Sequence, residues 1–298
     1  MQAKTTTKPA SAPAAPSYQG YAALGVVIRE GVAYVTLNNP PLNVLDATLL
    51  QELDRFAAAV CTDTEVRVIV FQSANPEFFI AHGDSNFVND PQTFIELPIG
   101  LDQPDWLNPM QRLHERLRQL PQVTIAKIAG FARGGGVELA MALDMRFAAV
   151  GPTGLGQPEV LMGIIPGGGG TQYLTRLVGR ARALEIILGA ELVGAELAER
   201  YGWINRALPA DQLDAFVDTL ARRIAGLLPG VAAAAKTAVL AAHQPLPDAL
   251  RTENEQLGQL FMAPAAANRM RAALAAGAQT RAGELDLEAL LNNLAQPE

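Results

Sequence analysis

Two glutamates, Glu138 and Glu159, stand in apolar, glycine-rich surroundings in a chain whose charged content is only 18%. Glu138 falls in the first turn of a predicted helix, two residues after a run of three glycines. Glu159 ends the phrase GQPE, after a loop of glycine and proline. Carboxyl groups held in specialised surroundings can serve as acid and base in one reaction. The two residues could therefore form an acid–base pair beside an activated carbonyl group.

The glycine run from Gly134 to Gly136 is predicted to form a turn between a strand and a helix. Glycine lets other groups approach the backbone closely. The first amides of a helix have no internal acceptor and lie at the positive end of its dipole. Such a site can stabilise a developing oxyanion. Each feature alone also fits a structural role in helix–strand packing, but their combination with GQPE favours catalysis.

Three phrases carry a resemblance to a known family: AGFARGGGVELAMALDMRFAA, GLGQPEVLMGIIPGGGGTQYLTRLVG and GAELVGAELAERYGWINRALP. In combination they resemble the enoyl-CoA hydratase/isomerase (crotonase) superfamily, from about residue 26 to about residue 240. The resemblance implies an α/β fold, a crotonase-like ββα spiral core with a C-terminal helical trimerisation region. We expect a disordered tail at residues 1–20, the spiral core at 21–209 and the helical region at 210–298.

The resemblance also implies roles for individual residues. Glu138 and Glu159 are the expected catalytic residues, and the backbone N–H groups of Gly83 and Gly135 are the expected oxyanion hole. The implied reaction is the reversible hydration of 2-enoyl-CoA to 3-hydroxyacyl-CoA, a lyase reaction. Glu138 would deprotonate the water that adds at C3, and Glu159 would deliver the proton at C2. No metal and no cofactor are expected, since coenzyme A is part of the substrate.

Hydration is favoured because both acids are present, whereas relatives that only shift a double bond often keep just the second. Three alternatives stay open. They are an enoyl-CoA isomerase, another acyl-CoA reaction of the same superfamily, and a non-catalytic acyl-CoA-binding member.

Other positions are possible substrate-binding residues by the same resemblance: Ala81, His82, Asp84, Gly134, Pro166 and Gly167. His82 stands where relatives usually carry glycine, so it could alter the loop, reach the substrate or contact the CoA side. Asn86 replaces a lysine that often helps relatives to hold a CoA phosphate, and no phosphate-binding lysine is expected. Four apolar residues of the segment 90–105 could line the acyl pocket or simply pack: Phe94, Ile95, Leu97 and Ile99.

Composition limits the remaining possibilities. The 298 residues, 49% of them hydrophobic, can bury a sizeable core. A net charge of −7 without a basic stripe argues against a nucleic-acid partner. No apolar run reaches the roughly 20 residues that a membrane helix needs. Cys61 is the single cysteine, so no internal disulfide forms, and we expect it to be a buried small residue.

The three histidines, His82, His114 and His243, show no metal-ligand spacing, and His114 is interpreted as a solvated helix residue. Only four of the 23 basic residues are lysines, which suggests a GC-rich bacterial genome. The tail has three prolines and no arginine, which oppose an import signal, so we expect a cytoplasmic protein. The resemblance implies a homotrimer or a dimer of trimers.

Hydrophobic periodicity predicts the regular elements. The predicted strands cover residues 24–29, 32–38, 66–72, 123–128 and 145–150, with a last short strand at Leu208. The predicted helices cover residues 47–60, 108–120, 137–144, 171–178, 181–188, 195–201, 212–227, 230–242 and 285–294. Asp46 is the expected N-cap of the helix 47–60 and Thr171 that of the helix 171–178.

Overall fold

The β-branched runs of the sequence form the interior of a six-stranded sheet in the computed structural model, which describes residues 17–261, 263–279, 290–291 and 293–294. The order along the sheet is β1-β2-β3-β5-β7-β10. β1 and β2 form an antiparallel hairpin, and the other neighbours pair in parallel. The strands are β1 (Leu24–Arg29), β2 (Val32–Leu37), β3 (Val68–Ser73), β5 (Val123–Ile128), β7 (Met145–Ala149) and β10 (Arg206–Leu208).

A second sheet consists of short strands in the order β4-β6-β8-β9. They are β4 (Phe78–Ile80), β6 (Phe131–Arg133), β8 (Gly154–Gly156) and β9 (Val193–Gly194). β4, β6 and β8 run parallel, whereas β9 is antiparallel to β8. The carboxyl ends of three neighbouring strands therefore meet at one edge of this sheet.

The helices connect the strands and continue as the only regular elements of the described chain after residue 210. They are α1 (Ala47–Val60), α2 (Pro91–Ile95), α3 (Pro109–Gln119), α4 (Gly135–Ala142), α5 (Gly170–Val178), α6 (Arg180–Gly189), α7 (Ala195–Tyr201), α8 (Ala210–Ala225), α9 (Val231–Leu240), α10 (Leu246–Phe261) and α11 (Pro264–Ala275). Among the described helices, none is long and apolar enough to cross a membrane.

Alternating side chains of the large sheet enter two different cores, as expected for strands covered on both faces. On one face, Tyr34 and Val70 pack against α8 through Leu213 and Val217. On the other face, β2 and β3 join α1, α3, α4 and the second sheet in the larger core. The second sheet and α4 therefore lie on the face of the large sheet opposite α8, where they share one core with α1 and α3.

The long predicted elements are confirmed to within about two residues, and Asp46 caps α1 by accepting a hydrogen bond from Leu49 N at 2.9 Å. The expected cap at Thr171 is wrong, because α5 begins at Gly170 after Gly169, whose φ of +105° favours glycine. Cys61 is exposed rather than buried, since it lies just beyond the end of α1.

His114 is completely buried rather than solvated. The stripe of α3 that includes Leu113 and Leu117 turns inward, and the loop before α5 covers the imidazole. Residues 1–16 of the predicted tail and most of the predicted last helix lie outside the described residues. Tyr18, within the predicted tail, packs against Phe56 and donates a hydrogen bond of 2.6 Å to Asp63.

Candidate active site

The carboxyl ends of β4, β6 and β8 bring together the segments that carry the predicted site residues. β4 leads to Gly83, β6 leads into α4 with Gly135 and Glu138, and β8 is followed by Glu159. At the end of β6, Gly134 has a φ of +49° and donates a hydrogen bond of 2.9 Å to Gly156 of β8. Loops at such strand ends are the usual place for a site in a parallel sheet.

α4 packs closely against β4 because Gly136 has no side chain. A Cβ atom at this position would lie 2.6 Å from the backbone oxygen of Ile80. The close approach brings the N-terminus of α4 beside the segment that follows β4. A Cβ atom at Gly135 would accordingly lie 3.4 Å from the amide nitrogen of Gly83.

The amides of Gly83 and Gly135 are both available for a ligand. Leu45 pairs with Gly83: its N–H donates to His82 O at 2.9 Å, and its carbonyl accepts from Asp84 N at 3.1 Å. A trans peptide directs C=O and N–H to opposite sides, so the Gly83 N–H points away from Leu45. Within the described chain, neither this amide nor that of Gly135 has a protein acceptor. Two adjacent free donors at a helix N-terminus suit a developing oxyanion.

The Glu138 carboxylate is held by the glycine-rich loop that precedes α5. Its Oε1 atom accepts hydrogen bonds from Gly168 N at 2.8 Å and Gly170 N at 2.7 Å. Only 2% of the residue is exposed. Burial raises the pKa of Glu138 to about 7, and the nearby charge of Glu159 adds to this effect although the two amides oppose it. Glu138 can therefore gain and lose a proton near neutral pH.

Glu159 lies in a 3₁₀ turn after β8 and is also buried, and burial raises its pKa. With its amide oriented to donate, Gln157 places its side-chain nitrogen 2.9 and 3.0 Å from the two carboxylate oxygens. A Cβ atom at Gly134 would lie 2.8 Å from Glu159 Oε1, and Gly134 O accepts the backbone hydrogen bond from Glu138 N. Gly134 therefore separates the two acids, and its lack of a side chain leaves room for them.

The candidate substrate-binding residues lie on the loops around this centre. Ala81 is buried, and its N–H donates to Leu42 O at 3.3 Å. The imidazole of half-buried His82 contacts Gly83 O through Nδ1 at 2.7 Å. The Asp84 carboxylate accepts from Asn86 N at 2.9 Å and caps the turn that follows.

Pro166 and Gly167 belong to the loop that holds Glu138. A Cβ atom at Gly170 would lie 2.8 Å from Pro166 Cβ, and Gly167 O accepts a hydrogen bond of 2.8 Å from Asn108 Nδ2. Pro166 is buried and Gly167 is exposed. The apolar residues of the segment 90–105 also include both buried and exposed side chains: Leu97 and Ile99 are buried, whereas Ile95 is 55% exposed.

Sequence reasoning missed several residues that shape the site. Gln157 stands in GQPE, but nothing in that phrase indicates that its amide reaches Glu159. Met110 Cε lies 2.6 Å from a Cβ atom at Gly135 and 2.9 Å from one at Gly168, so it fills the space between these glycines. Among the residues that the structure describes, no three His, Cys, Asp or Glu side chains are grouped to hold a metal ion.

Comparison with known proteins shows the family to which the chain belongs. The sequence profile of the family described as enoyl-CoA hydratase/isomerase matches residues 27–282. A short-chain-enoyl-CoA hydratase of Clostridium acetobutylicum is 33% identical over 239 residues, which are 79% of this chain and 88% of the relative.

Two crystal structures of other proteins have a fold similar to that of this chain. A candidate enoyl-CoA hydratase from Streptomyces avermitilis is 49% identical, with a TM-score of 0.71 and coverage of 93% of this chain and 100% of that one. An enoyl-CoA hydratase from Geobacillus kaustophilus is 29% identical, with a TM-score of 0.78 and coverage of 85% and 93%. The predicted resemblance and the crotonase fold are confirmed, and this chain belongs to the enoyl-CoA hydratase/isomerase family.

Proposed function

We propose that the protein hydrates 2-enoyl-CoA thioesters to 3-hydroxyacyl-CoA. The observation that carries this proposal is the meeting of two buried carboxyl groups with two free backbone amides at one edge of the second sheet. The family's relatives named as enoyl-CoA hydratases support the same activity. Because Glu138 and Glu159 are both present, the site has one group to activate water and a second to donate a proton.

In the proposed mechanism, the thioester oxygen accepts hydrogen bonds from Gly83 N and Gly135 N. These bonds draw electrons from the conjugated double bond and stabilise the enolate that develops during addition. Loss of one such donor costs about 2.7–4 kcal/mol in activation free energy. The dipole of α4 acts in the same direction, because its positive end faces this oxygen.

The proton transfers use the two carboxyl groups. Ionised Glu138 takes a proton from water, whose oxygen forms a bond with C3 as the C2–C3 π electrons move toward the thioester. Protonated Glu159 then gives its proton to C2. Transfer of one proton from Glu138 to Glu159 restores the starting state, and the raised pKa of each group suits this exchange. The proposed chemistry requires no metal or redox cofactor, and CoA enters as part of the substrate.

We also propose that the chain assembles as a homotrimer or a dimer of trimers in the cytoplasm. Support comes from apolar side chains on the surface directly after the site: Leu161, Met162, Ile164 and Ile165, each at least 59% exposed. Soluble proteins seldom leave such a group uncovered. Sedimentation equilibrium would show three or six copies, whereas a monomer at micromolar concentration would contradict the proposal.

Hydration is tested by the loss of enoyl-thioester absorbance when the protein is mixed with crotonyl-CoA, longer 2-enoyl-CoAs and an aryl analogue. Glu159→Gln is the control, because it keeps the shape of the side chain but cannot supply the proton. Rapid loss that disappears in this variant is the expected result. Binding of CoA thioesters without any loss of absorbance would contradict the proposal.

A further inference from the structure

The loop that holds Glu138 consists of one proline followed by four glycines, at residues 166–170. A side chain at either of two of these glycines would displace the Glu138 carboxylate. A Cβ atom would lie 2.7 Å from Glu138 Oε2 at Gly168 and 2.6 Å from Oε1 at Gly170. Glycine segments have more conformational freedom than any others. The site therefore needs a flexible backbone at the point where it must fix a carboxylate.

Helix α3 and its N-cap supply the contacts that restrain this loop. Asn108 Nδ2 donates a hydrogen bond of 2.8 Å to Gly167 O. Gly167 C=O and Gly168 N–H belong to one peptide unit, and a trans peptide directs them to opposite sides. The same unit thus accepts from Asn108 on one side and donates to Glu138 at 2.8 Å on the other. The Asn108 amide consequently sets the direction in which the Gly168 N–H points.

The next peptide unit is held by His114, whose Nδ1 lies 2.6 Å from Gly168 O. A carbonyl oxygen only accepts, so the proton must be on Nδ1. The imidazole is completely buried, and this burial lowers its pKa to about 4. His114 is accordingly neutral, and its Nε2 atom has no partner among the described residues. An aliphatic residue would fill the buried position without leaving a polar atom unpaired, whereas the imidazole supplies the donor that holds Gly168.

We propose that Asn108 and His114 are positioning residues, which hold successive peptide units of the loop 166–170 so that Gly168 N and Gly170 N fix the Glu138 carboxylate. Neither residue touches the substrate in this proposal. Both act through the loop, and their effect is to stabilise the ionised form of Glu138 in one orientation. The kinetic part of the proposal rests on the hydratase function proposed above.

The variants are chosen so that each removes one donor without adding charge. Asn108→Ser keeps a side-chain oxygen that can cap α3 but is too short to reach Gly167 O. His114→Leu removes the donor to Gly168 O and fills the buried space. His114→Asn is the matched control, because its Nδ2 lies close to the position of the imidazole Nδ1 and can restore the hydrogen bond.

The deciding measurement is the titration of the Glu138 carboxyl carbon by ¹³C NMR, with Glu138→Gln to assign the signal. Glu159 and Tyr173 are the titratable groups whose charge acts on Glu138. Tyr173 stays neutral, since burial and Glu115 raise its pKa far above the usual value. In Asn108→Ser and His114→Leu, the midpoint for Glu138 should rise by roughly one pH unit, because ionised Glu138 loses well-placed donors. His114→Asn should restore it.

Hydration kinetics provide the second readout. We expect kcat to fall by about 10- to 100-fold in Asn108→Ser and His114→Leu, with little change in KM, because the misplaced base does not affect thioester binding. The acid limb of the pH–rate profile should shift to higher pH by the same amount as the NMR midpoint. If Asn108 and His114 had a purely structural role, their substitution would lower the folded fraction. The midpoints of the Glu138 titration and of the pH–rate profile would then stay unchanged.

Unchanged Glu138 titration in the folded Asn108→Ser and His114→Leu variants would overturn the proposal. If His114→Leu does not fold, His114→Asn and Asn108→Ser still decide it, since the first must preserve the midpoint and the second must raise it. The NMR experiment needs no substrate. Failure of the wild-type protein to hydrate any 2-enoyl-CoA would therefore reject the proposed function without affecting this test.

Discussion

Gly83 N lies 3.4 Å from the position that a Cβ atom on Gly135 would occupy, so the two glycines bring the ends of β4 and β6 into contact. The relationship depends on Gly136, which lets α4 approach the backbone of Ile80. Two backbone amides from separate segments thereby reach one small volume beside Glu138. Because the two amides lie close together, both can donate hydrogen bonds to one carbonyl oxygen and polarise the carbonyl group.

Substitutions of the adjacent glycines Gly135 and Gly136 should affect different properties: the first mainly activity, the second mainly stability. Gly136→Ala places a methyl group 2.6 Å from the backbone oxygen of Ile80, which cannot move freely. We expect unfolding free energy to fall by about 1–3 kcal/mol or more. Gly135→Ala meets the flexible end of Met110 at 2.6 Å. It should cost less stability, but kcat/KM for crotonyl-CoA should fall at least about tenfold as the oxyanion site becomes crowded.

Urea unfolding and steady-state kinetics measure the two effects, and Met110→Ala in the Gly135→Ala background should return part of the lost activity. Full activity of Gly135→Ala alone would mean that the thioester oxygen does not bind beside Gly135.

Glu138→Gln should stabilise the protein at alkaline pH while it abolishes activity. Burial raises the pKa of Glu138 from 4.5 to about 7, so the native state binds a proton more tightly than the unfolded chain. Stability from the protonated form is complete below pH 4.5 and is lost as pH rises through 7. At pH 8, we expect the variant to gain up to about 3 kcal/mol relative to wild type. Urea unfolding should show this difference shrinking toward pH 5, and a constant difference would contradict the raised pKa.

Gln157 is expected to tune Glu159. In the orientation that donates, its amide nitrogen lies within hydrogen-bond distance of both carboxylate oxygens and favours the ionised form. Gln157→Leu should raise the pKa of Glu159 further and slow proton delivery to C2, with a fall in kcat of about tenfold or more. The pH–rate profile of Gln157→Leu, compared with that of Gln157→Asn, measures this effect. An unchanged profile in folded Gln157→Leu would show that the amide does not act on Glu159.

The buried imidazole of His114 should contribute to acid sensitivity. Its pKa is lowered from 6.5 to about 4, so the unfolded chain binds a proton that the native chain does not. The stability due to neutral His114 is therefore present above pH 6.5 and lost as pH falls toward 4, by up to about 3 kcal/mol. The unfolding free energy of wild type, measured relative to that of His114→Asn, should therefore decrease as pH falls from 6.5 to 4. If the unfolding free energies of wild type and His114→Asn changed with pH by the same amount, the prediction would be wrong.

Much of the fold could be predicted because its long elements carry strong patterns. The β-branched run of β3 indicated a strand covered on both faces, and the apolar spacing of α1 indicated its buried face. Glu138 and Glu159 could be singled out because acids seldom stand among glycines and apolar residues. Their separate features had ordinary structural explanations, and only their combination indicated a site.

The short strands β4, β6 and β8 could not be found in this way, because three residues are too few to display a period. Yet these strands align the segments that carry Gly83, Gly135 and Glu159. His114 was misjudged for a different reason. Its neighbours Glu115 and Arg116 are polar, although its spacing from Met110 and Leu117 places it on the apolar stripe of α3. Gln157 gives no local signal, since its role arises only where β8 delivers it beside Glu159.

The proposed hydratase activity is the addition of water, at a single site, across the double bond of an enoyl thioester. Its most direct test is the product formed from crotonyl-CoA in D₂O, identified by NMR and mass spectrometry. We expect 3-hydroxybutyryl-CoA with one deuterium at C2, and none of this product with Glu138→Gln or Glu159→Gln. Formation of the 3-enoyl isomer, or deuterated crotonyl-CoA without any hydroxylated product, would contradict it.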